Sequence, residues 1–437
     1  VSVLPGSRME RNAGVLLLSS AATSILGFAY WYAAERTFAT AEVGRASTVV
    51  TTATMLGTLA CLSLGGMYER FLPASGHRVR ALIAGGIGAV GLSGMLIGCV
   101  FAAIDPSPAM FDASVERVAF PAVVVALALF ALADPIAVGL REPRAVAAKN
   151  VGFGVAKLAV LVPLAGTGAV AIYGSWTLLA LVATTTTLVW ALARGSRAVA
   201  AADPTLPRVR LLLSHHGAVL ALMLVGTVTP LCLPLIVLDR LGPESAAHFN
   251  VAQVIVVAVT MMIAACGSSF IAEAAQPGAD PRAALRQLAR MLVALGLAGA
   301  AGLALIGPLM LRLVGVDYAA ESGRYLQVAG AALLPQTFVG AYALLCRLES
   351  RLRLLVAVQV VAVVGIIGGT LLLVDALGVT GVGVAMLATE SACAAIVAVP
   401  TMLAVRRITG ASRDDAPGRH PAVGAGSTVP ADRRALR

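Results

Sequence analysis

Twelve apolar stretches, each about 20 residues or longer and separated by short polar turns, run through the chain; that length lets a helix cross roughly 30 Å of hydrocarbon. They fall at residues 14–34, 43–67, 81–104, 118–140, 146–166, 169–193, 214–238, 246–272, 288–311, 325–346, 354–374 and 380–405. Lipid offers a backbone amide no partner, so such spans must be helices. The charge content agrees: 12% of the residues are charged, against roughly 25% in soluble domains. The expected fold is an all-α polytopic membrane protein of about twelve transmembrane helices. Residues 14–34 read as the first of these rather than as a cleaved leader, because the stretch is long and no small-residue cleavage site follows it.

A basic segment at 194–210, containing Pro204 and Pro207, splits the spans six and six. The halves are also related in sequence. At a constant offset of 204 residues, Glu35-Arg36 aligns with Asp239-Arg240, Glu69 with Glu273 and Pro73 with Pro277. Two six-helix lobes of like orientation imply a pseudo-twofold along the membrane normal and a cavity between them. The expected organisation is an N-lobe at 1–194, an inter-lobe linker at 195–213, a C-lobe at 214–406 and a tail at 407–437. The tail is rich in Gly, Pro, Ala, Asp and Arg and is expected to be disordered.

With the N-terminus inside, 25 Lys and Arg fall in the inner segments and six in the outer loops. That asymmetry places both termini in the cytoplasm, so the expected location is the inner (cytoplasmic) membrane. The net charge of +10 is then mainly an inner-face property, suited to lipid headgroups rather than to nucleic acid.

All six cysteines lie inside apolar spans, without CxxC spacing or a neighbouring His pair, so no disulfide framework, metal or cofactor is expected. His215-His216 lacks carboxylate or Cys neighbours and reads as an interfacial pair. The largest outer loop, 105–117, is too short to carry the carboxylate constellation of a membrane glycosyltransferase or polymerase. The chain is therefore not read as an enzyme.

The segment RNAGVLLLSSAATSILGFAYWYAAERTFATAEVGRAS has a polar-rich first helix, a short acidic-basic turn and a Val-Gly motif opening the second helix, and GGMYERFLP ends that helix. LADPIAVGLREPRAVAAKNVGFGVAKLAVLV adds an intramembrane acid, an Arg-containing turn, an Asn and a membrane Lys. Together these resemble the polysaccharide flippases of the multidrug/oligosaccharidyl-lipid/polysaccharide (MOP) exporter superfamily, over about a third of the chain. The resemblance implies a transporter that moves a polyprenyl-diphosphate-linked oligosaccharide across the cytoplasmic membrane. Its expected partners are that substrate, membrane lipids and a polysaccharide polymerase or glycosyltransferases. Two departures stand out: His248 occupies the repeat position of Gly44, and Pro135 follows Asp134, where it is expected to break the fourth helix.

Three ionisable residues, Asp134, Lys157 and Glu390, lie within spans, where charge is costly unless paired or hydrated. Asp134 and Lys157 sit at comparable depths on helices joined by one turn. Either they pair structurally, or they bind phosphate or take part in ion coupling. Glu390, a lone carboxylate, is a candidate coupling site or a cavity-lining group. Ser20 and Ser24 share a face of the first helix with Ser19 and Thr23, and Asn250 and Gln253 form a matching stripe with Thr260 in the second lobe. Such stripes suit cavity lining, and equally close helix packing. Arg36, Arg45 and Arg240 near the outer mouth, and Arg11 and Arg141 near the inner one, are candidate diphosphate partners, because the guanidinium fork matches phosphate. Each also serves as a helix-end headgroup anchor. The alternative function is a drug or cation antiporter of the same superfamily.

Overall fold

The apolar stretches fold as helices throughout. In the computed structural model the first half contains α1 Arg8–Thr37, α2 Thr40–Ala60, α3 Leu64–Phe71, α4 Val79–Ile104, α5 Ser114–Gly139, α6 Pro143–Leu161 and α7 Ala169–Ala200. The second contains α8 Val209–Leu241, α9 Pro243–Ala274, α10 Pro281–Ala301, α11 Gly307–Val314, α12 Val316–Leu348, α13 Leu352–Leu377 and α14 Val379–Asp414. The structure describes residues 8–200, 209–274, 281–348 and 352–414, with side chains at 22–193, 220, 223–263, 285–346 and 354–407. Residues 201–208 of the expected linker and 415–437 of the expected tail lie outside the described residues; the flanks of the linker continue α7 and α8, and residues 407–414, expected to be disordered, continue α14. Among the described residues, ten helical spans are long and apolar enough to cross a membrane, or eleven when α2 and α3 count as one bent span. The first expected span falls in α1, whose side chains before residue 22 are outside the described set. A π-helical segment, Gly302–Ile306, joins α10 to α11, and the two cross as one span.

The two halves repeat one packing scheme. In the first, α1 packs on α6, α2 and α4 on α5, and α5 and α6 on α7. In the second, α8 packs on α13, α9 and α10 on α12, and α12 and α13 on α14. Helix for helix these are the same neighbours, as two lobes of like orientation require. The lobes meet chiefly where α2 lies against α8 and α9, with smaller contacts of α1 on α9 and α11.

The helix ends sort by charge. One face of the bundle carries Arg78, Arg80, Arg141, Arg144, Arg286, Arg290, Arg406 and Arg407. On the opposite, mixed-charge face, three arginines are paired with acids: Arg45 with Asp112, Arg117 with Asp105 at 2.8 Å, and Arg240 with Asp375 at 2.7 Å.

Two sequence expectations need correction. The second span is not one straight helix: Leu62 and Ser63 both take positive φ, 48° and 54°, and the chain bends by 54° between α2 and α3. Left-handed backbone costs a non-glycine residue roughly 1–2 kcal/mol, and nearby hydrogen bonds offset it. Ser93 Oγ on α4 donates to the Ala60 carbonyl at 2.6 Å, and the Leu64 amide donates to the Cys61 carbonyl at 2.8 Å. On α3, Tyr68 then reaches across to donate to the Leu82 carbonyl at 2.8 Å. The second correction concerns Pro135, which does not break its helix; α5 runs through Pro121 and Pro135 to Gly139. A proline leaves the carbonyl four residues earlier without its amide. That carbonyl is Ala131's; the Lys149 ammonium braces the same turn from α6 by bonding the neighbouring Phe130 carbonyl at 2.7 Å.

Candidate functional site

Between the lobes lies a cavity of about 500 Å³ walled by α1, α2, α8 and α9. Its polar groups are Thr23 and Ser24 on α1, Thr51 on α2, and Asn250 and Gln253 on α9, among apolar residues that include Met55, Pro230, Pro234 and Met261. No charged residue lines it among the described side chains. The side chains that would continue these helices toward the basic face, at 8–21, 209–219 and 264–274, lie outside the described set.

The hydroxyl-bearing positions of α2 follow from helical spacing. Thr48, Thr51 and Met55 recur at intervals of three and four and so share a face. Pro230 and Pro234 stand one turn apart inside α8, and each removes a backbone donor from the helix flanking the cavity.

Toward the mixed-charge face the cavity is roofed. Asn250 Nδ2 donates to Ser47 Oγ at 2.7 Å and to Thr48 Oγ1 at 3.1 Å, bridging α9 to α2. Both hydroxyls in turn donate to the Gly44 carbonyl at 2.9 Å. Gly44 lets the helices come this close, since a Cβ there would lie 1.8 Å from the Pro243 carbonyl oxygen. Beside this node Tyr325 of α12 donates its hydroxyl to Gln253 Oε1, and its ring meets Phe249 edge-on at 5.4 Å. His248, two residues before Asn250, is buried with its ring 4.4 Å from that of Tyr318. The departure from glycine at this repeat position therefore places an aromatic contact within the C-lobe.

Of the residues singled out from sequence, Ser24, Asn250 and Gln253 line the cavity and Thr260 does not. The side chains of Ser20 and Arg11 are outside the described set. The other cationic candidates lie elsewhere. Arg36 stacks over the Tyr32 ring at 4.6 Å and donates to the Leu313 carbonyl at 3.3 Å. Arg45 and Arg240 are held in the acid pairs of the mixed-charge face. Arg141 occupies the exposed α5–α6 turn with a φ of 63°.

Asp134 pairs with Lys149 rather than with Lys157: the separation is 2.7 Å, and Asn150 Nδ2 adds a hydrogen bond to the same carboxylate at 3.2 Å. The tight turn in which the Glu142 amide bonds the Ala137 carbonyl starts α6 at Pro143. Lys149 is then one and a half turns into its helix and level with Asp134, whereas Lys157 is about 12 Å deeper at 1.5 Å per residue. Lys157 is instead enclosed by rings, 3.5 Å from Trp176, 4.7 Å from Phe153 and 5.0 Å from Tyr30. This aromatic box ties α1, α6 and α7 together. Glu390 is buried in α14 with Oε2 unbonded among the described residues, and it does not line the cavity.

Sequence reasoning missed the roof. Its signal was the run Ser47, Thr48, Thr51, Thr52 and Thr54 in the second span, hydroxyls on a membrane helix opposite the noted Asn250.

No protein-family model matches this sequence, and no curated protein does. Solved structures do match. The lipid II flippase MurJ in an inward closed conformation aligns with a TM-score of 0.62 at 7% identity, covering 92% of this chain and 93% of that one. An inward-facing multidrug resistance MATE family transporter of the MOP superfamily aligns with a TM-score of 0.56 at 14% identity, covering 92% and 96%. A MOP superfamily transporter from Pyrococcus furiosus, described as having reversed polarity in its binding pocket, aligns with a TM-score of 0.54 at 15% identity, covering 92% and 94%. The chain shares the fold of these three proteins. Within that fold the cavity described above lies at the junction of the two lobes, and its described wall is neutral.

Proposed function

We propose that the protein is a flippase that carries a polyprenyl-diphosphate-linked oligosaccharide from the cytoplasmic to the outer leaflet by alternating access. The observation that carries this reading is the wall of the inter-lobe cavity: hydroxyls and amides without a carboxylate among its described residues. Sugar hydroxyls are donors and acceptors at once, and neutral Thr, Ser, Asn and Gln side chains match them in both senses. The protein described as the lipid II flippase MurJ shares the fold. The diphosphate is met by the basic ends of the helices, which the positive-inside asymmetry assigns to the cytoplasm. In this reading the roof formed by Gly44, Asn250 and Pro243 is the outer gate, and the described state faces inward. Substrate translocation then needs only that both states bind the head and differ by a few kcal/mol.

A drug or cation antiporter needs an anionic group facing its substrate. The described cavity offers none, Asp134 is neutralised by Lys149, and Glu390 lies outside the cavity wall.

The test is leaflet exchange of a fluorescent polyprenyl-diphosphate sugar in vesicles containing the purified protein. Exchange above that of protein-free vesicles is expected, slowed about tenfold in Gln253→Leu, which removes one hydrogen-bonding group from the wall. Protein that moves an organic cation against a proton gradient but leaves the labelled lipid where it was would overturn the proposal in favour of the antiporter.

A further inference from the structure

A hollow roomier than the inter-lobe cavity lies elsewhere. It is a groove of about 880 Å³ on the C-lobe, bounded by α10, α12 and α14. Its wall is almost wholly apolar, with Val293 and Leu297 on α10 and Leu334 and Phe338 on α12 all exposed. Its one charged lining residue is Arg286, on the basic face of the bundle, while the hydroxyls of Thr337 and Thr401 donate to carbonyls of their own helices. From Arg286 to Leu297 is about 16 Å along a helix at 1.5 Å per residue, which matches the roughly 15 Å depth of one leaflet's hydrocarbon. The groove therefore has a cationic mouth at the membrane surface and an apolar channel one acyl chain deep.

The N-lobe repeats the arrangement. A smaller groove of about 320 Å³ lies between α4 and α7, the counterparts of α10 and α14, and Arg80 stands at its mouth as Arg286 does in the C-lobe. Arg406 and Arg407 close the membrane span of α14 on the same face, lining a neighbouring groove that shares Leu345 with the large one. The contact between the lobes runs through α1, α2, α8 and α9. Both grooves thus lie away from the cavity assigned to the substrate.

We infer that the α10–α12–α14 groove is a binding site for an anionic glycerophospholipid of the leaflet next to the basic face, its phosphate at Arg286 and one acyl chain between Val293 and Phe338. The occupant follows from charge complementarity: basic pockets between membrane helices hold anionic headgroups, and each cation near the surface adds attraction. A phospholipid anchored there braces α10 against α14, helices of the lobe wall that has to move as a unit. The inference does not depend on which substrate crosses between the lobes.

The experiment is photolabelling of the full chain in phosphatidylcholine vesicles doped with phosphatidylglycerol that carries a diazirine in one acyl chain. Label is expected to concentrate on residues 289–297 and 334–341. An excess of plain phosphatidylglycerol should compete it away, and added phosphatidylcholine should not. Arg286→Gln should lower labelling about fivefold, the effect of losing one surface cation, and Arg286→Lys should restore it. Val293→Trp, which leaves every charge in place, should block the groove and lower labelling independently. Label spread over all lipid-facing helices, or indifferent to both Arg286 and Val293 substitutions, would overturn the site. Equal competition by phosphatidylcholine would reduce it to general lipid contact. Competition by a polyprenyl phosphate but not by phosphatidylglycerol would assign the groove to the transported lipid's tail and refute the inference.

Discussion

Replacing Gly44 with alanine should open the roof of the inter-lobe cavity. A Cβ at this position would sit 1.8 Å from the Pro243 carbonyl oxygen, where 3.0 Å is the least that real contacts tolerate, so α2 and α9 must part by about 1.2 Å. The Asn250–Ser47 hydrogen bond, 2.7 Å long, is then stretched beyond bonding range. A buried amide left without its acceptor costs roughly 1–3 kcal/mol. Alanine's helix-propensity gain over glycine, about 0.5–1 kcal/mol, applies whether the roof is open or closed and cancels. A shift near 2 kcal/mol changes the ratio of closed to open molecules about thirtyfold. Spin labels at Val115 and Val316, exposed residues at the mixed-charge ends of α5 and α12 in opposite lobes, report it by pulsed dipolar spectroscopy in a Cys99→Ser background. The unsubstituted protein should give one short distance, and Gly44→Ala a second, longer population. Gly85→Ala, at a glycine with open space around it, is the control and should leave the distribution unchanged. Identical distributions in Gly44→Ala and parent, with no change in Tm, would refute the roof as a close-packed gate.

Other substitutions test the lobe interiors. Lys149→Met strands the Asp134 carboxylate and should cost about 3–5 kcal/mol, lowering Tm, while the double variant Asp134→Asn/Lys149→Met should recover most of the loss. Ser93→Ala removes the donor at the α2–α3 bend and should cost about 1 kcal/mol, with faster tryptic cleavage at Arg70. Lys157→Met should lose about 2 kcal/mol of cation–π stabilisation yet leave transport per folded molecule unchanged. A transport defect in well-folded Lys157→Met would return this lysine to the substrate path.

The many-span helical fold was legible in the sequence because bilayer thickness sets span length, and of the twelve spans expected the described residues show ten, or eleven with the bent pair; the like packing of the two halves accords with the recurring acid-base pairs at Glu35-Arg36 and Asp239-Arg240. The bend at Leu62 and Ser63 was not, since neither residue type prefers left-handed backbone and its support comes from Ser93 on another helix. The partner of Asp134 depended on where α6 begins: counting depth from Lys149, as though it lay in the turn, made Lys157 level with Asp134, whereas α6 already starts at Pro143 and carries Lys149 to that depth. The polar stripe of α9 was readable from spacing, but its acceptors Ser47 and Thr48 lie some 200 residues earlier, and only the packed lobes bring them together. The mouth arginines read as substrate ligands because the residue type suits phosphate, whereas their acidic partners Asp112 and Asp375 come from other turns.

In the proposed transport cycle the cavity walled by α1, α2, α8 and α9 is the path of the lipid-linked sugar. The most direct measurement labels Thr51→Cys, in the cavity wall, with a membrane-impermeant maleimide applied to one side of sealed vesicles at a time. The account predicts labelling from the basic-face side, protected by the polyprenyl-diphosphate sugar but not by a phospholipid of equal charge. A cysteine at this position that stays unlabelled from both sides, or that is labelled equally with and without the sugar lipid, would contradict it.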